Sequence, residues 1–210
     1  GWDPTLVIGG KVDSLGGNAK LGRGDFVVAE ADESDGSFLQ LPATYGIITN
    51  IDNDHLDYYG TLAAIDEAFS AFVSALPFYG LAAVCADDPG VARCMPAFNK
   101  PYVTYAIDAQ ADYTARNIRV DGLSSRFEVH QAGVGLLGEV RIGIPGRHNV
   151  LNALAVVALS LGMGLSFEKI VDGLAQFQGV KRRFEIRWQD LASNRAIIDD
   201  YGHHPTEIAA

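Results

Sequence analysis

Four short stretches of this 210-residue chain run on in apolar residues instead of alternating: Leu6-Val7-Ile8, Phe26-Val27-Val28-Ala29, Gly46-Ile47-Ile48-Thr49 and Ala82-Ala83-Val84-Cys85. A strand covered on one face alternates apolar with polar, whereas a strand covered on both faces reads as a continuous run. These stretches therefore predict buried strands with a layer on each side. Between them Leu62, Ile65, Phe69, Phe72 and Val73 recur at helical spacing, and Pro77 stops that helix one turn later. Strands alternating with helices give an α/β fold with a mainly parallel central sheet.

The pattern changes after Tyr113. Arg126-Phe127-Glu128-Val129-His130 and Glu139-Val140-Arg141-Ile142 alternate, with glycines between the runs, so Tyr113 to Ile144 predicts an antiparallel subsheet attached to the parallel one. Helices are expected over 149–161 and 167–177, with Gly179 as a break and a domain boundary near Gly179 to Arg183. Beyond it, Phe184 to Trp188 and Ala196 to Asp199 read as a strand pair. Pro205-Thr206-Glu207 opens a helix with too few residues left to finish it, so the expectation is a truncated chain.

Charge and composition remove several function classes. A net charge of −10 repels a phosphate backbone, so no nucleic-acid partner is expected. Lys181-Arg182-Arg183 is the one dense basic run, and three charges suit a single nucleotide as well as a polymer. No uncharged apolar stretch reaches about 18 residues, and Gly1-Trp2-Asp3-Pro4 lacks a secretory layout, which predicts a cytoplasmic protein without membrane insertion. Cys85 and Cys94, too few for a disulfide framework and not in a zinc-type spacing, read as reduced core thiols.

Polar clusters follow the second and third apolar runs directly, where ligands of open α/β sheets gather. Glu30, Asp32, Glu33 and Asp35 put four carboxylates in six residues, a hard-oxygen set suited to magnesium and equally to a solvated acidic turn. Thr49-Asn50-Ile51-Asp52-Asn53-Asp54-His55-Leu56-Asp57 adds an imidazole that can bind metal or steady a phosphate; its Asn and Asp side chains also suit local backbone capping. Gly146-Arg147-His148-Asn149-Val150-Leu151-Asn152 opens a helix whose N-terminal N–H groups favour an anion, with Asn149 and Asn152 on one face to read an adenine edge. A plain helix cap would explain Asn149 alone. Asp199-Asp200-Tyr201-Gly202-His203-His204 gathers carboxylates, imidazoles and a phenol in a glycine-hinged turn after a strand. There is no Gly-x-Ser-x-Gly elbow, no dinucleotide glycine fingerprint and no Gly-x-x-x-x-Gly-Lys-Ser/Thr loop.

Glu-Ala-Asp-Glu-Ser-Asp at 30–35, Thr-Asn-Ile-x-x-Asp-His at 49–55, His-Asn-x-x-Asn-Ala at 148–153 and Asp-Asp-Tyr-Gly-His-His-Pro-Thr-Glu at 199–207, in this order, resemble the Mur ligase family. The resemblance implies an incomplete central ATP-binding domain over residues 1–180 and the start of a C-terminal Rossmann-like domain over 181–210. It implies ATP and Mg2+ as cofactors, with Glu30 and His55 as catalytic and metal-binding residues. Asn149 and Asn152 would contact adenine, Arg183 and Asp200 would hold ribose or phosphates, and His203 would stand near the nucleotide.

Within the family, the last block and Leu76-Pro77-Phe78-Tyr79-Gly80 are similar to the branch that joins L-alanine to UDP-N-acetylmuramate through an acyl phosphate. Phe69 stands near the position where several sister ligases carry a carbamylated lysine, a departure shared with the alanine-adding branch. The family's phosphate-binding loop would precede Gly1, so this stretch alone is expected not to catalyse. The alternatives are a murein tripeptide-recycling ligase and a catalytically silent nucleotide-binding module.

Overall fold

A computed structural model describes residues 2–12, 17–177, 179–190, 193, 195–202, 205 and 208. Two compact units divide the chain: Gly1–Ala31 with Gln178–Ala210, and Asp32–Phe177. In the first unit, β1 (Thr5–Val12) pairs antiparallel with β2 (Gly17–Lys20) and parallel with β3 (Val27–Ala29). Strands β1 and β3 fall on the predicted runs and β2 on none, but Val7, Val27 and Val28 are exposed, against the expected burial. Among the described elements this unit has no helix to cover either face of the sheet, and an apolar run is buried only where layers exist on both sides.

The second unit supplies those layers. Its strands β4 (Tyr45–Ile48), β5 (Leu81–Cys85), β6 (Tyr102–Ala106), β7 (Tyr113–Asp121), β8 (Ser124–Gln131) and β9 (Gly135–Ile142) form one sheet in chain order. The first four run parallel, and β7, β8 and β9 pair antiparallel, as the change of periodicity predicts. Helices α1 (Leu56–Tyr59), α2 (Leu62–Ala75), α3 (Pro89–Cys94), α4 (Arg147–Gly162) and α5 (Phe167–Ala175) complete it.

Strand β5 shows why its sequence does not alternate. Ala83 and Cys85 join the core that holds Val150, Leu154 and Val157 of α4, while Ala82 and Val84 join the core that holds Ile65 and Val73 of α2 and Val91 of α3. Successive strand side chains point to opposite faces, and here both faces are covered. Helix α4 begins at Arg147, two residues earlier than expected, because Gly146 takes the N-cap at φ 105°. Helix α5 ends at Ala175, two residues early, with Gln176 as its C-cap. Both cysteines are free and buried. In the first unit, β10 (Glu185–Asp190) and β11 (Arg195–Asp199) form the expected strand pair, and it is antiparallel. Among the described residues no helix is long and apolar enough to cross a membrane.

Candidate functional site

The carboxyl ends of β4, β5 and β6 open onto a cavity of about 220 Å³. Thr49 and Asn50 form one wall, His148, Leu151 and Asn152 of the first turns of α4 form another, and Cys85, Tyr105, Asp87 and Asp88 complete the lining. This is the crevice beyond the strand ends where open α/β sheets bind ligands. Drug-sized ligands occupy about 300–1,000 Å³, so this cavity suits one ring of a larger molecule. Tyr105 is fully buried and its hydroxyl donates to the Ile48 carbonyl at 3.2 Å. Burial is the main reason its phenol is pushed far above the ordinary value.

Helix α4 separates its two asparagines. Asn152 is exposed and lines the cavity, whereas the Asn149 amide nitrogen donates to the Pro145 carbonyl at 2.6 Å, steadying the turn before the helix. Gly146 permits that turn: a Cβ there would lie 2.7 Å from the His148 ring, at a positive φ.

Two neighbouring carboxylates, unassigned by the sequence reading, hold the cavity's backbone walls. Asp88 Oδ1 accepts from the Val91 N–H at 2.8 Å, capping α3, and from the Ile51 N–H at 3.0 Å. Asp87 accepts from the N–H groups of Ile107 at 2.5 Å, Asp108 at 3.1 Å and Ala109 at 2.7 Å. They stand at the end of the Ala82–Cys85 run, so the rule that pointed to Glu30 and His55 would have found them.

At the end of β4, His55 adopts the left-handed conformation, φ 56°, which for a non-glycine residue persists only where the surroundings hold it. Its N–H donates to Asp54 Oδ1 at 2.7 Å, and its ring Nε2 lies 3.7 Å from Glu33 and 3.8 Å from Asp54. Glu33, one of the four carboxylates read together at 30–35 but given no separate role, is thus a carboxylate neighbour of the histidine, and its carbonyl accepts the Tyr59 hydroxyl. Of the other acidic residues, Asp32 accepts from Ser34 and Asp35 from Ser37 in local turns; the serine side chains, then the backbone N–H groups, hold both carboxyls below the usual range. No group of three or more His, Cys, Asp or Glu side chains is gathered for a metal among the described residues.

In the other unit, Glu30 Oε2 accepts the Gly9 N–H at 2.7 Å, and a Cβ on Gly9 would crowd that carboxylate at 3.1 Å. Asp200 accepts from the N–H groups of Phe184 and Gly202, at 2.8 and 2.7 Å, so it sits against the turn that carries Arg183. The Arg183 guanidinium carbon lies 6.0 Å from the Tyr201 ring centroid, at the edge of cation–π range. His203 lies outside the described residues.

Residues 13–160 match the family described as the Mur ligase middle domain. The whole chain is 52% identical to a UDP-N-acetylmuramate–L-alanine ligase of Syntrophobacter fumaroxidans and spans 44% of that protein's length. A solved UDP-N-acetylmuramate–alanine ligase of Thermotoga maritima superposes with a TM-score of 0.85 at 35% identity, covering 99% of this chain and 46% of that one. A murein peptide ligase of Psychrobacter arcticus gives 0.74 at 26% identity, with coverages of 98% and 47%.

Proposed function

The chain belongs to the Mur ligase middle domain family, and from that premise we propose that it is the nucleotide-handling part of an ATP-dependent ligase joining L-alanine to UDP-N-acetylmuramate. The observation that carries the reading is the cavity beyond β4, β5 and β6 with Asn152 in its wall. Identity over the full chain to an alanine-adding relative supports the choice of substrates. Because the chain spans less than half of that relative's length, the activity is proposed for an enzyme comprising this chain and the remaining length of its relatives. A central domain over 1–180, a further domain opening at 181 and a cytoplasmic location belong to the same proposal.

The residues fit the groups the reaction needs. A purine ring suits the cavity's size, and the Asn152 amide offers a donor and an acceptor to its edge. Asn149 gives one N–H to Pro145, which leaves its second N–H and its carbonyl oxygen as the groups proposed to meet adenine. Arg183 and Asp200 are proposed for ribose and phosphates, and His203 for the neighbourhood of the nucleotide. Magnesium is commonly held by one or two side chains, several waters and substrate phosphates, so a site of three protein ligands is not required. Glu30, braced by Gly9, and His55, braced by Asp54 and Glu33, are each proposed as a magnesium ligand within their own unit.

In the proposed reaction the muramyl carboxylate oxygen attacks the γ-phosphorus of ATP and ADP leaves, giving an acyl phosphate; the alanine amine then attacks the acyl carbon, and phosphate and a proton leave. Both steps gather negative charge on oxygen, so fixed positive groups and aligned donors lower the barrier more than acid–base exchange would. Bound magnesium supplies charge neutralisation at the phosphates. The chain's own contribution is to hold the base and align the phosphates, with Arg183 as the permanent cation.

Asn152→Ala in the complete enzyme tests the cavity assignment. Losing one or two hydrogen bonds of about 0.5–1.5 kcal/mol each should raise KM for ATP about tenfold and leave KM for UDP-N-acetylmuramate unchanged. An unchanged KM for ATP would remove the base from this cavity.

A further inference from the structure

Asp87 and Asp88 are adjacent in sequence, yet their hydrogen bonds run to opposite walls of one cavity. Asp88 holds the β4 side: its Oδ1 receives both the N–H that starts α3 and the N–H of Ile51, one residue beyond the cavity-lining Thr49-Asn50 pair. Asp87 holds the β6 side: three successive N–H groups, from Ile107 to Ala109, converge on its carboxylate. That turn connects onward, because Asp108 Oδ2 accepts from Arg147 Nη2 at 2.6 Å, and Arg147 is the first residue of α4, the helix that carries His148 and Asn152.

We propose that Asp87 and Asp88 are a pair of positioning residues that set the width of the base-binding cavity, Asp88 fixing the Thr49–Ile51 wall and Asp87 fixing the α4 wall through the 107–109 turn and Arg147. The proposal rests on the reading of this cavity as the nucleotide-base site. Neither residue takes part in the chemistry. Both act on ATP binding through the backbone they hold, which is how half-buried carboxylates that accept several N–H bonds pre-organise a site.

The two residues differ in a way that makes the idea testable. Asp88 uses one oxygen for both of its N–H donors, so the single carbonyl oxygen of asparagine can take over. Asp87 uses both oxygens, and asparagine would turn an NH2 toward a backbone N–H, leaving one donor unpaired. In the complete enzyme, Asp87→Asn and Asp88→Ala should each raise KM for ATP about tenfold or more, with kcat and KM for UDP-N-acetylmuramate changed less than about threefold. Asp88→Asn should recover most of the affinity lost in Asp88→Ala.

Arg147→Gln supplies a variant on the surface, where the pair with Asp108 is largely exposed, so folding is not at stake. It should raise KM for ATP by about two- to fourfold with an unchanged urea midpoint. Equal behaviour of Asp87→Asn and Asp88→Asn, or a fall in kcat with KM for ATP untouched, would overturn the proposal. If Asn152→Ala raises KM for ATP while none of these variants does, the positioning idea fails and the cavity assignment stands. If Asn152→Ala is also silent, the cavity assignment is the part that fails.

Discussion

Adding a methyl group at Gly90 should loosen the wall that leads to His55, and the same change at Gly173 should tighten the fold. Gly90 is the second residue of α3, and a Cβ there would lie 1.9 Å from the Ile51 carbonyl oxygen. That oxygen must retreat by about 1.5 Å to reach ordinary contact, yet the Ile51 N–H is held by Asp88 at 3.0 Å and Ile51 itself is buried. Either the overlap persists, at about 1–3 kcal/mol, or the hydrogen bond breaks and a buried N–H goes unpaired, at a similar cost. The helix-propensity gain of about 0.5–1 kcal/mol offsets only part of this. Gly90→Ala should therefore destabilise the unit by about 1–2 kcal/mol. In α5, a Cβ on Gly173 meets nothing within 4 Å, so only the propensity gain remains there. With a urea m-value of about 2 kcal/mol/M, the midpoint should fall by about 0.5–1 M for Gly90→Ala and rise by about 0.3–0.5 M for Gly173→Ala. Helical circular dichroism is the right probe, because helices α1 to α5 all lie in the Asp32–Phe177 unit while Trp2 and Trp188 lie in the other. Shifts of the same sign would refute the reasoning, since it is the environment of each glycine, not helix propensity, that is claimed to decide.

Two further outcomes follow from titratable groups. Asp66 of α2 takes a two-pronged hydrogen bond from Arg93 of α3, at 2.6 and 2.7 Å, which holds its carboxyl below the usual range. Its folded-state pKa is depressed, so the contribution is present above the unfolded value of about 3.9 and is lost as pH falls through the folded one. Asp66→Asn should lower the urea midpoint by a few tenths of a molar at neutral pH, with the difference closing as pH falls past the ordinary carboxylate range; a difference that stays constant into strong acid would contradict the pairing. Burial pushes the Cys94 thiol up to about 11. Its thiolate fraction near pH 8 is then about two orders of magnitude below that of a free cysteine, so a disulfide reagent should modify it slowly in the folded chain and rapidly in urea. Rapid reaction without denaturant would show an accessible thiol.

What the sequence disclosed follows from where the layers fall. Ala82–Cys85 was legible as a strand because both sheet faces are covered, and α2 because Ile65 and Val73 point one way; Gly46–Thr49 is a strand as expected, but at the edge of the described sheet, with Ile48 buried and Ile47 exposed. The same signal over-reached at Val7, Val27 and Val28, which lie in a unit without a covering helix among its described elements. Strand β6 escaped notice because Thr104 interrupts its apolar run; its hydroxyl and N–H both pair with Asp112, a contact that sequence does not announce. Helix α3, only six residues long, offers no periodicity, and its signature is the Asp88 cap followed by Pro89. In the candidate site the blocks around Glu30 and His55 stood out as polar clusters after apolar runs, and Asn152 as one of two amides on one face at the start of a helix. Asp87 and Asp88 follow the Ala82–Cys85 run in the same way and the same rule reaches them, but the backbone N–H groups that they gather from three separate segments are visible only in the fold. The use of the Asn149 amide by Pro145 was likewise invisible, because it depends on the turn at Gly146.

The most direct test of the central claim is phosphate release by the complete enzyme supplied with ATP, magnesium and UDP-N-acetylmuramate, with L-alanine in one arm and L-alanyl-γ-D-glutamyl-diaminopimelate in the other. The account predicts release that depends on L-alanine. Release that depends on the tripeptide and ignores alanine would contradict it and assign the chain to a peptide-recycling ligase.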